Sequence, residues 1–103
     1  MVDDTVKWLE YGFTVYPPNT TWNDVGGLYI FASLSNNYWY AKYVGKAESF
    51  KSRLASSHEQ WGPAQKLGAT HVHAMVVPLE SNRVKIEKEL IEKLQPPLNV
   101  HHK

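Results

Sequence analysis

Cysteine is absent from this sequence, which excludes disulfide bonds, thiolate nucleophiles and cysteine-based zinc sites. No apolar run is long enough to span a membrane. The first residues, Met1-Val2-Asp3-Asp4, lack the basic and apolar regions of a secretory signal peptide. These absences predict a cytoplasmic protein with no membrane partner.

Neither sign of charge dominates, because 11 Lys and Arg residues face 10 Asp and Glu residues, for a net charge of +1. Overall charge therefore neither requires nor excludes a polyanionic partner. Lys42, Lys46, Lys51 and Arg53 lie close together in sequence, and only Glu48 opposes them. This cluster predicts a small local positive field. A solvated surface of mixed charge is the alternative for the same residues.

The length of 103 residues predicts one domain. A hydrophobic content of 43% and an aromatic content of 13% are enough for an ordinary core. Hydrophobic periodicity and turn residues predict the element order β-β-α-β-α. The expected fold class is α+β, a small three-stranded antiparallel sheet flanked by helices. We expect residues 1–25 to form an N-terminal arm packed on a domain of residues 26–103.

Particular segments carry this prediction. Residues 27–32 and 38–46 are expected to form an antiparallel hairpin, and residues 70–77 a third strand. A short strand is expected at residues 14–16. The first helix should begin at Ser49, a suitable N-cap, and Gly62-Pro63 should end or bend it. The last helix should begin at Ser81 or Asn82 and end before Pro96-Pro97.

One acidic residue stands out on the last predicted helix. At about 100° per residue, Glu87 falls within the apolar stripe that Ile86, Leu90 and Leu94 define. A buried carboxylate is normally paired, metal-bound or neutralised, because leaving it unpaired costs several kcal/mol or more. Glu87 is therefore expected to have a partner, and an ion pair with Arg53 is one alternative to a metal ion.

Five short segments follow one another in a particular order. They are Gly27-Leu28-Tyr29, Tyr43-Val44-Gly45 followed directly by Lys46, Arg53, Glu87 with Leu90-Ile91, and Pro97-Leu98-Asn99. In this order they resemble the signature of the GIY-YIG nuclease domain family. The resemblance covers residues 26–99 and identifies the chain as a small stand-alone member. The separate DNA-binding domain of larger members has no counterpart in this sequence.

The resemblance implies an endonuclease that hydrolyses phosphodiester bonds in DNA with Mg²⁺ or Mn²⁺ and no organic cofactor, leaving 5′-phosphate and 3′-hydroxyl ends. Glu87 would hold the single metal ion, and Arg53 would bind a phosphate oxygen with its planar guanidinium. Tyr29 and Tyr43 would position the attacking water, and Tyr29 is slightly favoured as the group that takes its proton. Other implied site residues are Lys46 and His58 in catalysis, and Lys42, Lys51 and Asn99 in substrate binding.

A tyrosine base has a cost that its surroundings must reduce. The phenol pKa is near 10, so only about one tyrosine in a thousand is ionised at pH 7, and reaching the phenolate costs about 4 kcal/mol. Nearby positive charge lowers this pKa. Lys46, Arg53 and the metal ion are the candidates to supply that charge.

Several alternatives stay open. Family members often carry His or Tyr four residues after the arginine, where this chain has Ser57, and His58 follows one residue later. His71 and His73 point to the same face of a strand and could bind zinc, although a third ligand is hard to find. Trp39 could stack on a nucleic-acid base. The whole domain could also be a catalytically weak module that binds nucleic acid or protein.

Overall fold

The computed structural model describes residues 5–55 and 58–99. In chain order, these residues form nine elements: β1 (Thr5–Trp8), β2 (Tyr11–Tyr16), β3 (Gly27–Ser35), β4 (Tyr38–Ala47), α1 (Phe50–Leu54), α2 (Trp61–Lys66), β5 (His71–Val76), α3 (Glu80–Leu94) and a 3₁₀ turn (Pro97–Asn99). No helix within the described residues is long and apolar enough to cross a membrane.

The five strands form one antiparallel sheet in the order β1-β2-β5-β3-β4. The α+β class is thus confirmed, but the expected number of three strands is wrong. The two additional strands come from the N-terminal segment, whose hairpin pairs through β2 with β5. The division into an arm of residues 1–25 and a domain of residues 26–103 stays a prediction.

The central hairpin is the element that the sequence predicts best. Asn36 and Asn37 join β3 to β4 with φ angles of 53° and 69°, which are typical of the tight turns in two-residue hairpins. A register shift between Phe31 and Ala32 interrupts the ladder. Ala32 pairs with Ala41 and Phe31 with Tyr43, so one additional residue lies in β4 as a β-bulge.

Each face of the sheet has its own core. Leu28 and Ile30 of β3 point to the α3 face, where they belong to the same buried cluster as Leu90. Tyr29 and Phe31 point to the opposite face and cluster with Phe50 of α1. Because side chains alternate along β3, one face of the sheet packs on α3, and the other face packs on α1, α2 and the segment after β2.

The helix boundaries correct several expectations. Ser49 caps α1, and its hydroxyl accepts a hydrogen bond from the amide of Ser52. However, Gly62-Pro63 lies in the first turn of α2 rather than at the end of a helix, because proline is tolerated where backbone amides have no intrahelical partner. The helix α3 begins at Glu80, with Leu79 as its N-cap, rather than at Ser81 or Asn82.

The end of α3 agrees with the sequence. Gln95 takes the left-handed conformation at φ 50° directly after Leu94, and the two prolines follow it. The short turn Pro97–Asn99 then returns the chain to β4. This return brings the last predicted motif next to the second one.

Candidate active site

The paired strands β3 and β4 bring the two motif tyrosines together. Tyr29 lies opposite Gly45, and Tyr43 lies opposite Phe31, so both phenols are on the face that α1 and α2 cover. Their ring centroids are 6.2 Å apart. Tyr29 is only 1% exposed, whereas Tyr43 is half-buried. Tyr43 is therefore the phenol that solvent or substrate can reach.

Gly45 is required for this arrangement. A Cβ atom at position 45 would lie 2.5 Å from the hydroxyl of Tyr29 and within 3.0 Å of two of its ring carbons. The second glycine of the signature thus leaves the space that the first tyrosine fills. Its use here is steric and needs no unusual φ angle.

His58 fixes the direction of the hydrogen bonds around Tyr29. Its Nδ1 atom accepts a hydrogen bond of 3.0 Å from the backbone amide of Gln60, so the neutral ring carries its proton on Nε2. The Nε2 atom lies 2.7 Å from the Tyr29 hydroxyl and accordingly donates to it. Burial, followed by the charge of Arg53, lowers the pKa of His58, which favours this neutral form.

Arg53 reaches the same cluster from α1. Its charge acts on Tyr29, where it opposes the rise in pKa, and its guanidinium forms two bonds to the carboxylate of Glu59, at 3.1 and 2.6 Å. The bond with Arg53 is the main reason that the pKa of Glu59 falls to about 2. The carboxylate occupies the fork of the guanidinium, in the geometry with which arginine also binds a phosphate group.

The tyrosine pKa values are shifted upwards, not downwards. Burial raises the pKa of Tyr29, with Tyr43 adding to the rise and Arg53 opposing it. Burial also raises the pKa of Tyr43, against the opposite effect of Arg53, while the charges of Glu59 and Glu87 add to the rise. At both phenols, desolvation therefore raises the pKa by more than the charge of Arg53 lowers it. A phenolate here needs positive charge beyond that of Arg53.

Glu87 lies on α3 at the border of the site. Its side chain is half-buried, as its position within the apolar stripe led us to expect, and its charge acts on Tyr43. Arg53 forms its ion pair with Glu59. A half-buried carboxylate offers oxygen ligands of the kind that Mg²⁺ prefers, with water and phosphate completing its coordination. The chemistry of Glu87 therefore suits one Mg²⁺ ion.

Lys46 lies on β4 and forms an ion pair of 3.1 Å with Glu80 at the start of α3. Glu80 also accepts a bond of 3.1 Å from Arg83, and the bond with Lys46 is the largest cause of its lowered pKa. Lys46 and Arg53 line one open depression of about 330 Å³ between β4 and α1. This depression is large enough for a phosphate group to approach both cations.

Both polar atoms of the Asn99 side chain form hydrogen bonds with the backbone of β4. Its side-chain oxygen accepts from the amide of Val44 at 2.7 Å, and its side-chain nitrogen donates to the carbonyl of Val44 at 2.9 Å. The residue is 7% exposed. Asn99 thus holds the strand directly next to Tyr43.

The remaining candidates are more dispersed. Lys42 is the bulged residue of β4, near the ring of Tyr40. Lys51 is exposed on α1, and its backbone amide bonds to the carbonyl of Asn23. Neither lysine is part of the tyrosine cluster, although both lie on elements next to it.

The zinc alternative has no support in the described structure. His73 is fully buried and accepts a bond of 2.9 Å from the indole of Trp8. His71 and His73 pack against Trp39, with ring centroids 5.2 and 4.5 Å away, on the face opposite to His58. Within residues 5–55 and 58–99 no group of three or more His, Cys, Asp or Glu side chains could hold a metal ion.

Two partners in the site were not identified from the sequence. Glu59 lies six residues after Arg53, a spacing that brings no pair together on a helix, and it depends on the bend between α1 and α2. Glu80 lies 34 residues from Lys46. No signal in the sequence pointed to Glu80, because the last helix was expected to begin at Ser81 or Asn82, after this residue.

No family model matches the chain. The chain is 35% identical over 63 aligned positions to UvrABC system protein C of Pseudomonas savastanoi pv. phaseolicola, and equally to that of Pseudomonas syringae pv. syringae. Each alignment covers 56% of this chain and 10% of the relative. The chain therefore spans about a tenth of the length of these relatives.

Solved structures show a more extensive similarity. One is the GIY-YIG N-terminal endonuclease domain of UvrC from Thermotoga maritima, bound to magnesium as its catalytic divalent cation. Its TM-score is 0.63 at 28% identity, covering 77% of this chain and 88% of that chain. A point mutant of the same domain, also bound to its catalytic divalent cation, has a TM-score of 0.63 at 26% identity and covers 78% and 88%.

Proposed function

This chain belongs to the GIY-YIG nuclease domain family, and from that premise we propose that it is a metal-dependent endonuclease that hydrolyses phosphodiester bonds in DNA. The observation that carries the proposal is the grouping of Tyr29, Tyr43 and His58 on one face of the sheet, where His58 hydrogen-bonds Tyr29 and the charges of Arg53 and Glu87 act on Tyr43. The similar UvrC domains, which are endonuclease domains bound to a divalent cation, support the same chemistry.

The direction of the hydrogen bonds supports Tyr43 as the group that takes the proton of the attacking water. The amide of Gln60 holds His58 as an Nε2–H donor to Tyr29. With its oxygen accepting from His58, Tyr29 would donate its own proton towards Tyr43, whose ring centroid lies 6.2 Å from that of Tyr29. A phenolate at Tyr43 would thus be stabilised by the Tyr29 hydroxyl. From the sequence, Tyr29 was slightly favoured as the group that takes this proton; the assignment to Tyr43 differs from that expectation.

Phosphate binding is assigned to the two cations of the open depression. Arg53 lies next to Tyr29, and its planar fork suits two phosphate oxygens. Lys46 offers a compact positive charge on the same side. Both cations have an acidic partner in the structure, so a substrate phosphate exchanges one anionic partner for another. Asn99 acts as a positioning residue for Tyr43.

Glu87 is the residue that would hold the Mg²⁺ ion. When bound, the ion supplies positive charge that stabilises negative charge developing on the phosphate and on an attacking hydroxide. The raised tyrosine pKa values give this assignment its physical reason, because burial outweighs Arg53 at both phenols. Mn²⁺ would occupy the same oxygen-rich surroundings.

The test compares wild-type protein with Glu87→Gln on single-stranded, nicked and branched DNA. We expect cleavage that requires Mg²⁺ and falls about 10²- to 10³-fold in Glu87→Gln, since a preorganised charge at the reacting phosphate is lost. Glu92→Gln, at an exposed position of the same helix, is the matched control and should cleave like wild type. Free Mn²⁺, measured by electron paramagnetic resonance, should decrease on adding wild type and much less on adding Glu87→Gln.

Cleavage that survives both EDTA and Glu87→Gln contradicts the proposal. The alternative is a catalytically weak binding module on the same fold. The bidentate Glu59 carboxylate on Arg53 favours that alternative, because it competes for the phosphate-binding group. Binding of DNA without any Mg²⁺-dependent cleavage in the substrate panel would establish it. A cytoplasmic location and action as a stand-alone domain stay predictions.

A further inference from the structure

The strand that carries Tyr43 also carries two of the most exposed aromatic side chains of the described structure. Tyr38 is 68% exposed and Tyr40 is 48% exposed. Both lie on β4, which forms one edge of the five-stranded sheet. Aromatic side chains of this size are normally buried in a small domain or used for contact.

The β-bulge places these two rings on the face of the active site. Along β3, Tyr29, Phe31, Ser33 and Ser35 alternate onto one face. Tyr43 pairs with Phe31, Tyr40 with Ser33 and Tyr38 with Ser35, so all three β4 tyrosines point to that face. In a regular strand without the bulge at Lys42, Tyr40 and Tyr43 would lie on opposite faces, because they are three positions apart.

The surroundings of the two rings suit a polyanion with exposed bases. The ammonium group of Lys42 lies 5.9 Å from the ring centroid of Tyr40. Residues 25–47 contain two lysines and no Asp or Glu. An open depression of about 460 Å³, lined by Ser33, Tyr40, Lys42 and Leu67 among others, extends beside the strand.

The spacing of the rings favours single-stranded over double-stranded nucleic acid. Residues two apart on a strand are about 6.6 Å apart, roughly twice the 3.4 Å rise of stacked bases in a duplex. Each ring would therefore contact a separate base of an extended strand. A duplex hides the faces of its bases, whereas unpaired bases stack on aromatic side chains without regard to sequence.

We propose that Tyr38, Tyr40 and Lys42 form a stacking surface for unpaired bases of a single DNA strand that leads from the active site along β4 to the hairpin turn. This inference rests on the proposed function, because it takes the bound strand to be the one that is cleaved. Trp39, the tryptophan for which base stacking was left open, packs on His73 on the other face.

The test measures binding without cleavage, so that it is independent of catalysis. Fluorescence anisotropy in EDTA compares a labelled 20-nucleotide oligothymidine with a 20-base-pair duplex. Tyr40→Ala and Tyr38→Ala should each weaken binding of the oligothymidine about 5- to 100-fold, with less than a twofold effect on the duplex. Tyr40→Phe keeps the ring and should bind within about twofold of wild type. Lys42→Ala should make the slope of log affinity against log salt concentration less steep, by the amount expected for the loss of about one phosphate contact.

Val84→Ala is the matched control, because Val84 is 46% exposed on α3, which packs on the opposite face of the sheet from the β4 tyrosines. Equal losses for duplex and oligothymidine, or no loss in either alanine variant, would overturn the inference. Much tighter binding of oligouridine than of oligothymidine would overturn DNA as the occupant. If the wild-type protein cleaves no DNA but the alanine variants lose oligothymidine binding, the stacking surface would be supported. The proposed endonuclease activity would be contradicted by the same result.

Discussion

Gly45→Ala tests how closely activity depends on the position of the Tyr29 hydroxyl. The added Cβ atom would lie 2.5 Å from that hydroxyl, whereas ordinary contacts begin at 3.4 Å, so the phenol must move by about 1 Å. Tyr29 is 1% exposed and packs on Phe31 and His58, with ring centroids 5.5 Å from each. The ring therefore has no free space to enter, and its bond to His58 must lengthen or break.

A displacement of about 1 Å at a reacting group costs about 100-fold in rate, and overpacking of a core costs typically 1–3 kcal/mol of stability. We expect Gly45→Ala to remain folded, with single-turnover cleavage reduced about 100-fold. Gly62→Ala is the control, because nothing lies within 4 Å of a Cβ atom at that position. Thermal unfolding of both variants separates the loss of stability from the loss of rate.

A double-mutant cycle with Tyr29→Phe shows whether the effect passes through the hydroxyl. If it does, Gly45→Ala adds little to the loss that Tyr29→Phe already causes, since both substitutions remove the same interaction. Rate losses that multiply in the double variant would refute this reasoning. A folded Gly45→Ala protein that cleaves within threefold of wild type would refute it as well.

Two further predictions concern charge. Burial, followed by the charge of His71, lowers the pKa of His73 from 6.5 to about 4, so the unfolded chain binds a proton before the folded chain does. Stability should be full above about pH 6.5 and fall by roughly 3 kcal/mol as the pH drops to about 4. Urea unfolding should show a much smaller fall in His73→Gln, and an unchanged fall would be inconsistent with this origin. Removing the negative charge of Glu59 by Glu59→Gln should tighten DNA binding about two- to fivefold. It should also lower the pKa of both active-site tyrosines, so the rise of activity with pH should move to lower pH; unchanged DNA affinity would mean that Glu59 does not compete with phosphate.

The predictable parts of the molecule are those with a local pattern. The central hairpin follows from two aromatic and β-branched segments around Asn36-Asn37, and the last helix follows from its apolar stripe and the prolines after it. Of the first hairpin only the short strand at residues 14–16 was expected, within β2; β1 was missed because the turn uses Leu9 at φ 59°, where leucine gives no turn signal. Sequence similarity was needed to relate the separate motifs, because no local pattern joins residues on β3, β4, α1 and α3.

The ion pairs of the site could not be predicted for a different reason. The contact of Arg53 with Glu59 joins a residue of α1 to one beyond the end of that helix, a pair that helical spacing does not bring together. The raised tyrosine pKa values similarly depend on how deeply the hairpin is covered. Residue types predict which groups attract, whereas burial decides whether desolvation or attraction is larger.

The contact between Asn99 and Val44 has a consequence for how copies of the protein meet. An edge strand exposes a row of amides and carbonyls that can recruit a strand from another molecule. At Val44 both backbone groups are occupied by one carboxamide, which imitates a neighbouring strand over a single residue. A continuous ladder therefore cannot extend across this position, and edge-to-edge association of two sheets is blocked beside Tyr43.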